Sequence, residues 1–121
     1  MAGMAQDTIT IYHNPRCSNS RGALALIEAQ GIQPQVIDYL HEPLDTAHLS
    51  ALVAQLGVPV RELMRSKEAI YQELDLGREG LSDAELIAQI AAHPVLLNRP
   101  IVVSAKGARL CRPPERVLDL L

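Results

Sequence analysis

Cys17 is the residue of this sequence whose type and position could carry out nucleophilic chemistry. It lies in the segment Pro15–Arg21 (PRCSNSR), between a predicted strand and a predicted helix. The unpaired N–H groups and partial positive charge of a helix start favour a thiolate or a bound oxyanion. Arg16 and Arg21 add positive charge, so we expect the pKa of the Cys17 thiol to lie below its free value of about 8.5. A buried structural cysteine is the alternative interpretation.

The neighbouring residues exclude two known arrangements of a cysteine in such a loop. A C-x-x-C redox motif requires a cysteine at position 20, where the chain has Ser20. Cys17 therefore cannot form the usual disulfide with a neighbour, and a second thiol must come from elsewhere. A tyrosine-phosphatase-type loop requires an arginine at position 23, where the chain has Ala23.

His13 and Cys111 are two further candidates, each with a simpler alternative. His13 precedes Cys17 closely enough to influence the thiol or to hold the loop, although a histidine at a strand end more often only forms hydrogen bonds within a loop. Cys111 could be a second nucleophile, but a buried cysteine at the end of a strand is the simpler interpretation.

Positive charge is concentrated near the end of an acidic chain. The chain has 11 Lys and Arg against 14 Asp and Glu, yet Glu115 is the one acidic residue among five basic ones between Arg99 and Arg116. This segment is either a solvated basic face or a site for a small anion. Arg99 and Arg112 flank the predicted hairpin and could hold an oxyanion, because a guanidinium donates two parallel hydrogen bonds. Arg65 could approach from the helical block. The alternative for each arginine is a surface ion pair that contributes little.

The hydrophobic pattern predicts the elements that must position these residues. The first part of the chain has a strand at Thr8–Tyr12, a helix from Ser18 to Gly31 and a strand at Val36–Leu40. The middle part has a helix from Asp45 to Gly57, a helical turn at Val60–Leu63, a helix at Glu68–Leu74 and a helix from the Ser82 capping box to His93. The last part has strands at Ile101–Val103 and up to Leu110, and a final helix from Pro113. In that last helix we expect Val117, Leu118 and Leu121 to face the core. The order predicts an α/β, thioredoxin-like fold: a mixed four-stranded sheet with a helical insertion between the βαβ and ββα parts.

Composition narrows the classes of protein further. The chain of 121 residues, 48% apolar, predicts a single domain over residues 1–121 with a flexible N-terminus at residues 1–7. A net charge of −3 argues against binding to nucleic acid or to an anionic membrane. No apolar run is long enough to span a bilayer. Two cysteines and a start unlike a signal peptide predict a reduced, cytoplasmic setting.

Four separated blocks of the sequence closely resemble the glutaredoxin-linked arsenate reductase family. The blocks are Ile11–Arg21, Arg61–Arg65, Asn98–Val103 and Arg109–Pro113. The resemblance extends from about residue 8 to residue 121 and implies a role for each matching position. The implied catalytic residues are Cys17 as the nucleophile, His13 as an aid to its ionisation, and Ser20 and Arg21 as supports of the thiolate. The residues implied to surround the arsenical are Arg65, Arg99 and Arg112.

The activity that this resemblance implies is the reduction of arsenate to arsenite through a Cys17 thiolate–arsenic adduct. Glutathione is then a co-substrate and glutaredoxin a partner, and neither a metal nor a tightly bound cofactor is expected. Two other functions stay open. One is a general glutathione-dependent thiol oxidoreductase, and the other is a non-catalytic regulator that binds RNA polymerase. Regulators of this fold family typically carry a C-x-x-C motif, which Ser20 removes.

Overall fold

Both ends of the chain contribute to a four-stranded mixed sheet in the computed structural model, which describes residues 8–121. β1 (Thr10–His13) is parallel to β2 (Gln35–Asp38) and antiparallel to β3 (Ile101–Ser104), and β4 (Gly107–Leu110) pairs with β3. The strand order β2-β1-β3-β4 confirms the predicted thioredoxin-like sheet. The predicted N-terminus at residues 1–7 lies outside the described residues.

The apolar core on one face of the sheet is closed by two helical segments. α1 (Ser18–Ala29) packs beside a 3₁₀ helix at Pro114–Leu120, which we name the C-terminal 3₁₀ helix. Gly22 of α1 makes this approach close, since a Cβ atom there would lie 3.0 Å from Cγ of Pro114. The buried side chains of this core are Ile9, Ile11, Ala23, Ile27, Val102, Cys111, Val117 and Leu120.

The helical insertion is a compact unit of its own. The described residues up to Glu42 together with Arg99–Leu121 form one unit, which we call the sheet unit, and Pro43–Asn98 forms the other, the helical unit. This division leaves the prediction of a single domain untested. The helices of the helical unit are α2 (Thr46–Leu56), a 3₁₀ turn (Val60–Leu63), α3 (Ala69–Glu73), α4 (Asp83–Ala92) and a 3₁₀ turn (Pro94–Leu96).

Local sequence signals explain where the longer helices of the helical unit begin and end. The Asp45 carboxylate accepts a hydrogen bond from the N–H of His48 at 2.8 Å, and Gly57 ends α2 in the left-handed conformation with φ of 65°. Ser82 and Glu85 form the predicted capping box at the start of α4. No helix within residues 8–121 has the length and apolar character needed to cross a membrane.

The last helix differs from its prediction in pitch and therefore in its buried face. It is a 3₁₀ helix, whose repeat of three residues places Val117 and Leu120 on one side. Both are buried, whereas Leu118 is 46% exposed. The expectation that Leu118 faces the core was wrong because it assumed the 3.6-residue repeat of an α-helix. Leu121 is half-buried and packs against the core cluster.

This pitch can be tested with two leucine variants of the same helix. Leu120→Ala removes buried apolar volume and is expected to lower the free energy of unfolding by about 2–4 kcal/mol. Leu118→Ala removes an exposed side chain and is expected to change it by about 0.5 kcal/mol or less. Urea unfolding of both variants measures the difference. Equal losses would show that the segment does not keep the 3₁₀ repeat.

Candidate active site

The loop between β1 and α1 is held in one conformation by its own polar groups. The N–H of Cys17 donates to the carbonyl oxygen of Asn14 at 3.0 Å, which closes a tight turn with Pro15 and Arg16 at its tip. The Asn14 side chain accepts from the N–H of Arg16 at 2.9 Å. The buried Ser20 hydroxyl accepts from the N–H of Asn14 at 3.2 Å. Ser20 therefore fixes the loop that presents Cys17.

Cys17 is the N-cap residue of α1 and is only 9% exposed. Burial raises the pKa of its thiol. The backbone N–H groups of Ser20 and Asn19 and the guanidinium of Arg99 lower this pKa, and their combined effect exceeds that of burial. The net pKa therefore lies below the ordinary thiol value. The side chain makes no close capping hydrogen bond, so these amides act on the sulfur without forming a tight cap. The direction of this pKa shift agrees with the expectation of a thiol whose ionised form is favoured at a helix start.

The two arginines that flank the β3–β4 hairpin converge on this sulfur. Arg112 Nη1 lies 3.9 Å from Cys17 Sγ and donates a hydrogen bond of 3.0 Å to the carbonyl oxygen of Arg99. The guanidinium of Arg99 acts on the same sulfur by hydrogen bonding and by its charge, which lowers the pKa of Cys17. The peptide bond between Arg99 and Pro100 is cis. Cationic donors from a distant part of the sequence therefore surround the thiol, as expected of an oxyanion site.

The two arginines nearest to Cys17 in sequence do not have the predicted electrostatic role. Neither Arg16 nor Arg21 contributes to the lowered pKa of Cys17, which the amides and Arg99 account for. Arg21 instead donates from Nη1 to the carbonyl oxygen of Pro15 at 2.9 Å and so braces the turn. Arg16 is exposed at the tip of that turn. Closeness in sequence did not predict the effect on the pKa of Cys17, because the Arg21 guanidinium is bound to the turn and that of Arg16 is exposed to solvent.

His13 ends β1 and is buried, with no hydrogen-bond partner for its Nδ1 atom within residues 8–121. Burial lowers its pKa; the Asp38 carboxylate opposes this effect and the Arg21 guanidinium adds to it. Because the pKa lies below the ordinary value of 6.5, the imidazole is neutral at pH 7. An aid to thiol ionisation from His13 must therefore come from a neutral ring, and this role stays a prediction.

Cys111 has the opposite environment from Cys17. It is fully buried in the apolar core that α1 and the C-terminal 3₁₀ helix close. Burial raises the pKa of its thiol to about 11 despite the positive charges of Arg109 and Arg116. A neutral, inaccessible thiol is a poor nucleophile. The interpretation of Cys111 as a buried cysteine at a strand end agrees with the structure.

The remaining predicted site residue, Arg65, belongs to the helical unit. Its side chain is 23% exposed and pairs with Glu68 at 3.2 Å. Its predicted contact with an arsenical stays a prediction. Asn14 is the residue whose role sequence reasoning missed, although an asparagine before proline is a typical start of a side-chain-stabilised turn. No group of three or more His, Cys, Asp or Glu side chains suited to a metal ion occurs within residues 8–121.

The chain is similar to known proteins both in sequence and in structure. The sequence profile of the ArsC family matches residues 12–120. The arsenate reductase of Rhizobium meliloti (strain 1021) is 49% identical over 114 residues, covering 94% of this chain and 81% of that protein. The uncharacterized protein YfgD of Escherichia coli (strain K12) is 47% identical, covering 93% and 96%. The solved structure of an arsenate reductase from Vibrio cholerae superposes with a TM-score of 0.92 at 52% identity, covering 95% and 98%.

The electrostatics of the site predict how the reactivity of Cys17 depends on pH. Alkylation by iodoacetamide requires the thiolate, so its rate falls as the pH falls through the pKa. In the wild-type protein the midpoint is expected below the ordinary thiol value, because Ser20, Asn19 and Arg99 favour the thiolate. Arg99→Met removes one of these groups and is expected to move the midpoint upward. Rates measured between about pH 6 and pH 10 give both midpoints.

Two internal controls belong to the same measurement. Arg16→Met removes a charge next to Cys17 in sequence and is expected to leave the midpoint where it is. Cys111 is expected to stay unmodified, which peptide mapping by mass spectrometry establishes. A midpoint that moves equally in the Arg99 and Arg16 variants would contradict the assignment of the pKa shift to Arg99.

Proposed function

The chain belongs to the ArsC family, and from this premise we propose that it is an arsenate reductase that converts arsenate to arsenite at Cys17. The observation that carries the proposal is the convergence of Arg99 and Arg112 on a thiol with a lowered pKa. A nucleophilic sulfur and two guanidinium groups at one point suit a tetrahedral oxyanion that must be both bound and attacked.

The first step is formation of a bond between sulfur and arsenic. The Cys17 thiolate attacks the arsenic of bound arsenate, and one arsenate oxygen leaves as water after protonation. Arg99 and Arg112 stabilise negative charge on the remaining oxygens as it redistributes. Arg65 is proposed as a third arginine around the arsenical, and His13 as a neutral group that accepts the thiol proton.

The second step transfers two electrons to arsenic and needs a second thiol. A glutathione thiolate attacks the Cys17 sulfur, the electron pair of the sulfur–arsenic bond passes to arsenic, and arsenite leaves. The two sulfurs are then joined as a mixed disulfide, so that arsenic is reduced and sulfur is oxidised by two electrons. Glutaredoxin reduces this disulfide and restores Cys17. We place the reaction in the cytoplasm, where low-molecular-weight thiols are kept reduced.

Single substitutions separate the parts of this mechanism. Cys17→Ser is expected to abolish arsenate reduction, because no other thiol of the site can form the adduct. Arg112→Met keeps the length of the side chain but removes its donors, and kcat/KM for arsenate is expected to fall by about a hundredfold or more. Arsenate-dependent oxidation of NADPH, coupled through glutathione reductase and glutaredoxin, measures both variants.

The matched control for the arginine is Arg116→Met, which removes an exposed cation of the same segment and is expected to leave the rate unchanged. Circular dichroism of each variant establishes that it is folded. Reduction of a glutathionylated peptide at full rate by Arg112→Met, without arsenate reduction by the wild-type protein, would favour a general thiol oxidoreductase. Activity that survives Cys17→Ser would refute the proposal.

A further inference from the structure

Arg16 is the arginine of the Cys17 loop whose side chain has no hydrogen-bond or ion-pair partner within residues 8–121. Arg21 is bound to the Pro15 carbonyl, and Arg112 to the Arg99 carbonyl and the Cys17 sulfur. Arg99 acts on the same sulfur. The backbone of Arg16 is fixed by Asn14, whereas its exposed guanidinium meets no carboxylate or carbonyl group within residues 8–121. Within this loop, an exposed positive charge therefore lies one residue from the nucleophile and is available to a ligand.

The position of this charge limits the kind of ligand that it can bind. Arg16 precedes Cys17 directly and lies at the solvent-exposed tip of the turn. A second thiol must approach this sulfur from solvent, and Arg16 is an exposed residue directly beside Cys17 in the chain. In a thiol tripeptide such as glutathione, each carboxylate lies on a residue next to the cysteine. The Arg16 guanidinium lies one residue from the Cys17 sulfur, and each carboxylate of the tripeptide lies one residue from its own sulfur. The two charges can therefore meet when the two sulfurs approach each other.

We infer that Arg16 binds a carboxylate of the incoming thiol or disulfide and makes Cys17 selective for carboxylate-bearing thiols over uncharged ones. The inference rests on the proposed function in one respect, namely that glutathione reacts at Cys17. Arg16 is a specificity residue for the second substrate, while Arg99 and Arg112 serve the oxyanion. Its attraction for the carboxylate is that of an exposed ion pair, so its effect on rate is modest and depends on salt.

Thiol–disulfide exchange at Cys17 isolates this effect from arsenate chemistry. The Cys17 thiolate attacks one sulfur of oxidised glutathione, a new disulfide forms, and the other glutathione leaves as a thiolate; Cys17 is oxidised and the leaving sulfur is reduced. Bis(2-hydroxyethyl) disulfide undergoes the same exchange but carries no charge. The ratio of the two rate constants therefore reports carboxylate recognition, and the pKa and nucleophilicity of Cys17 cancel from it.

The experiment measures both rate constants for the wild-type protein and four variants by acid quenching and mass spectrometry. Arg16→Met is expected to slow the reaction with oxidised glutathione by about two- to five-fold and to leave the reaction with the uncharged disulfide unchanged. Arg16→Glu is expected to slow the first reaction further, and Arg16→Lys to restore most of it. High salt is expected to reduce the wild-type preference toward that of Arg16→Met.

Several results would overturn the inference. One is an unchanged rate with oxidised glutathione in Arg16→Met. Another is an equal loss with both disulfides, which would assign Arg16 to the reactivity of Cys17 itself. Arg116→Met is the matched control, and a loss of preference in it would show that net charge alone decides the rate. A protein that keeps this preference but does not reduce arsenate would refute the proposed function and leave the role of Arg16 intact.

Discussion

A thiolate that is almost removed from solvent must be stabilised by donors that the fold brings to it. At Cys17 the cost of burial is opposed by the amides at the start of α1 and by Arg99, and the balance favours the charged form. The amides belong to the first turn of α1, next to Cys17, whereas the guanidinium of Arg99 comes from a distant part of the sequence. The reactivity of the site therefore depends on how accurately the sheet joins these two segments.

The β3–β4 hairpin provides that accuracy. Ile101 pairs with Leu110, and the N–H of Cys111 donates to the carbonyl oxygen of Pro100 at 2.9 Å. The two segments that flank the hairpin therefore lie side by side. The hydrogen bond from Arg112 to the Arg99 carbonyl oxygen joins them directly. On the other side, the close approach of Gly22 to Pro114 fixes α1 against the segment that follows Arg112. A side chain at position 22 would bring its Cβ atom to 3.0 Å from Cγ of Pro114, so one of these two segments would have to shift.

The parts of this arrangement that sequence predicts are those governed by local rules. Cys17 at a helix start, the capping box at Ser82 and the glycine stop at Gly57 follow from neighbouring residues. The mixed four-stranded sheet follows from the order of the elements along the chain. Local rules do not predict which arginines act on Cys17, because this depends on side-chain rotamers and on tertiary contacts. Arg16 and Arg21 are near Cys17 in sequence, but the guanidinium that lowers the pKa of its thiol is that of Arg99. The 3₁₀ pitch that exposes Leu118 is likewise decided by packing rather than by the apolar pattern, which fits an α-helix equally well.

The contrast between the two cysteines explains why such a site needs a thiol from outside. A reduction by two electrons that ends in a disulfide requires two sulfurs that can both react. Cys111 is the chain's other cysteine, and its burial raises the pKa of the thiol to about 11, so it is neither ionised nor accessible near pH 7. Ser20 occupies the place where a neighbouring resolving cysteine would stand, and its hydroxyl holds the loop through Asn14. The same residue that removes an internal partner for Cys17 thus fixes the sulfur in position for an external one.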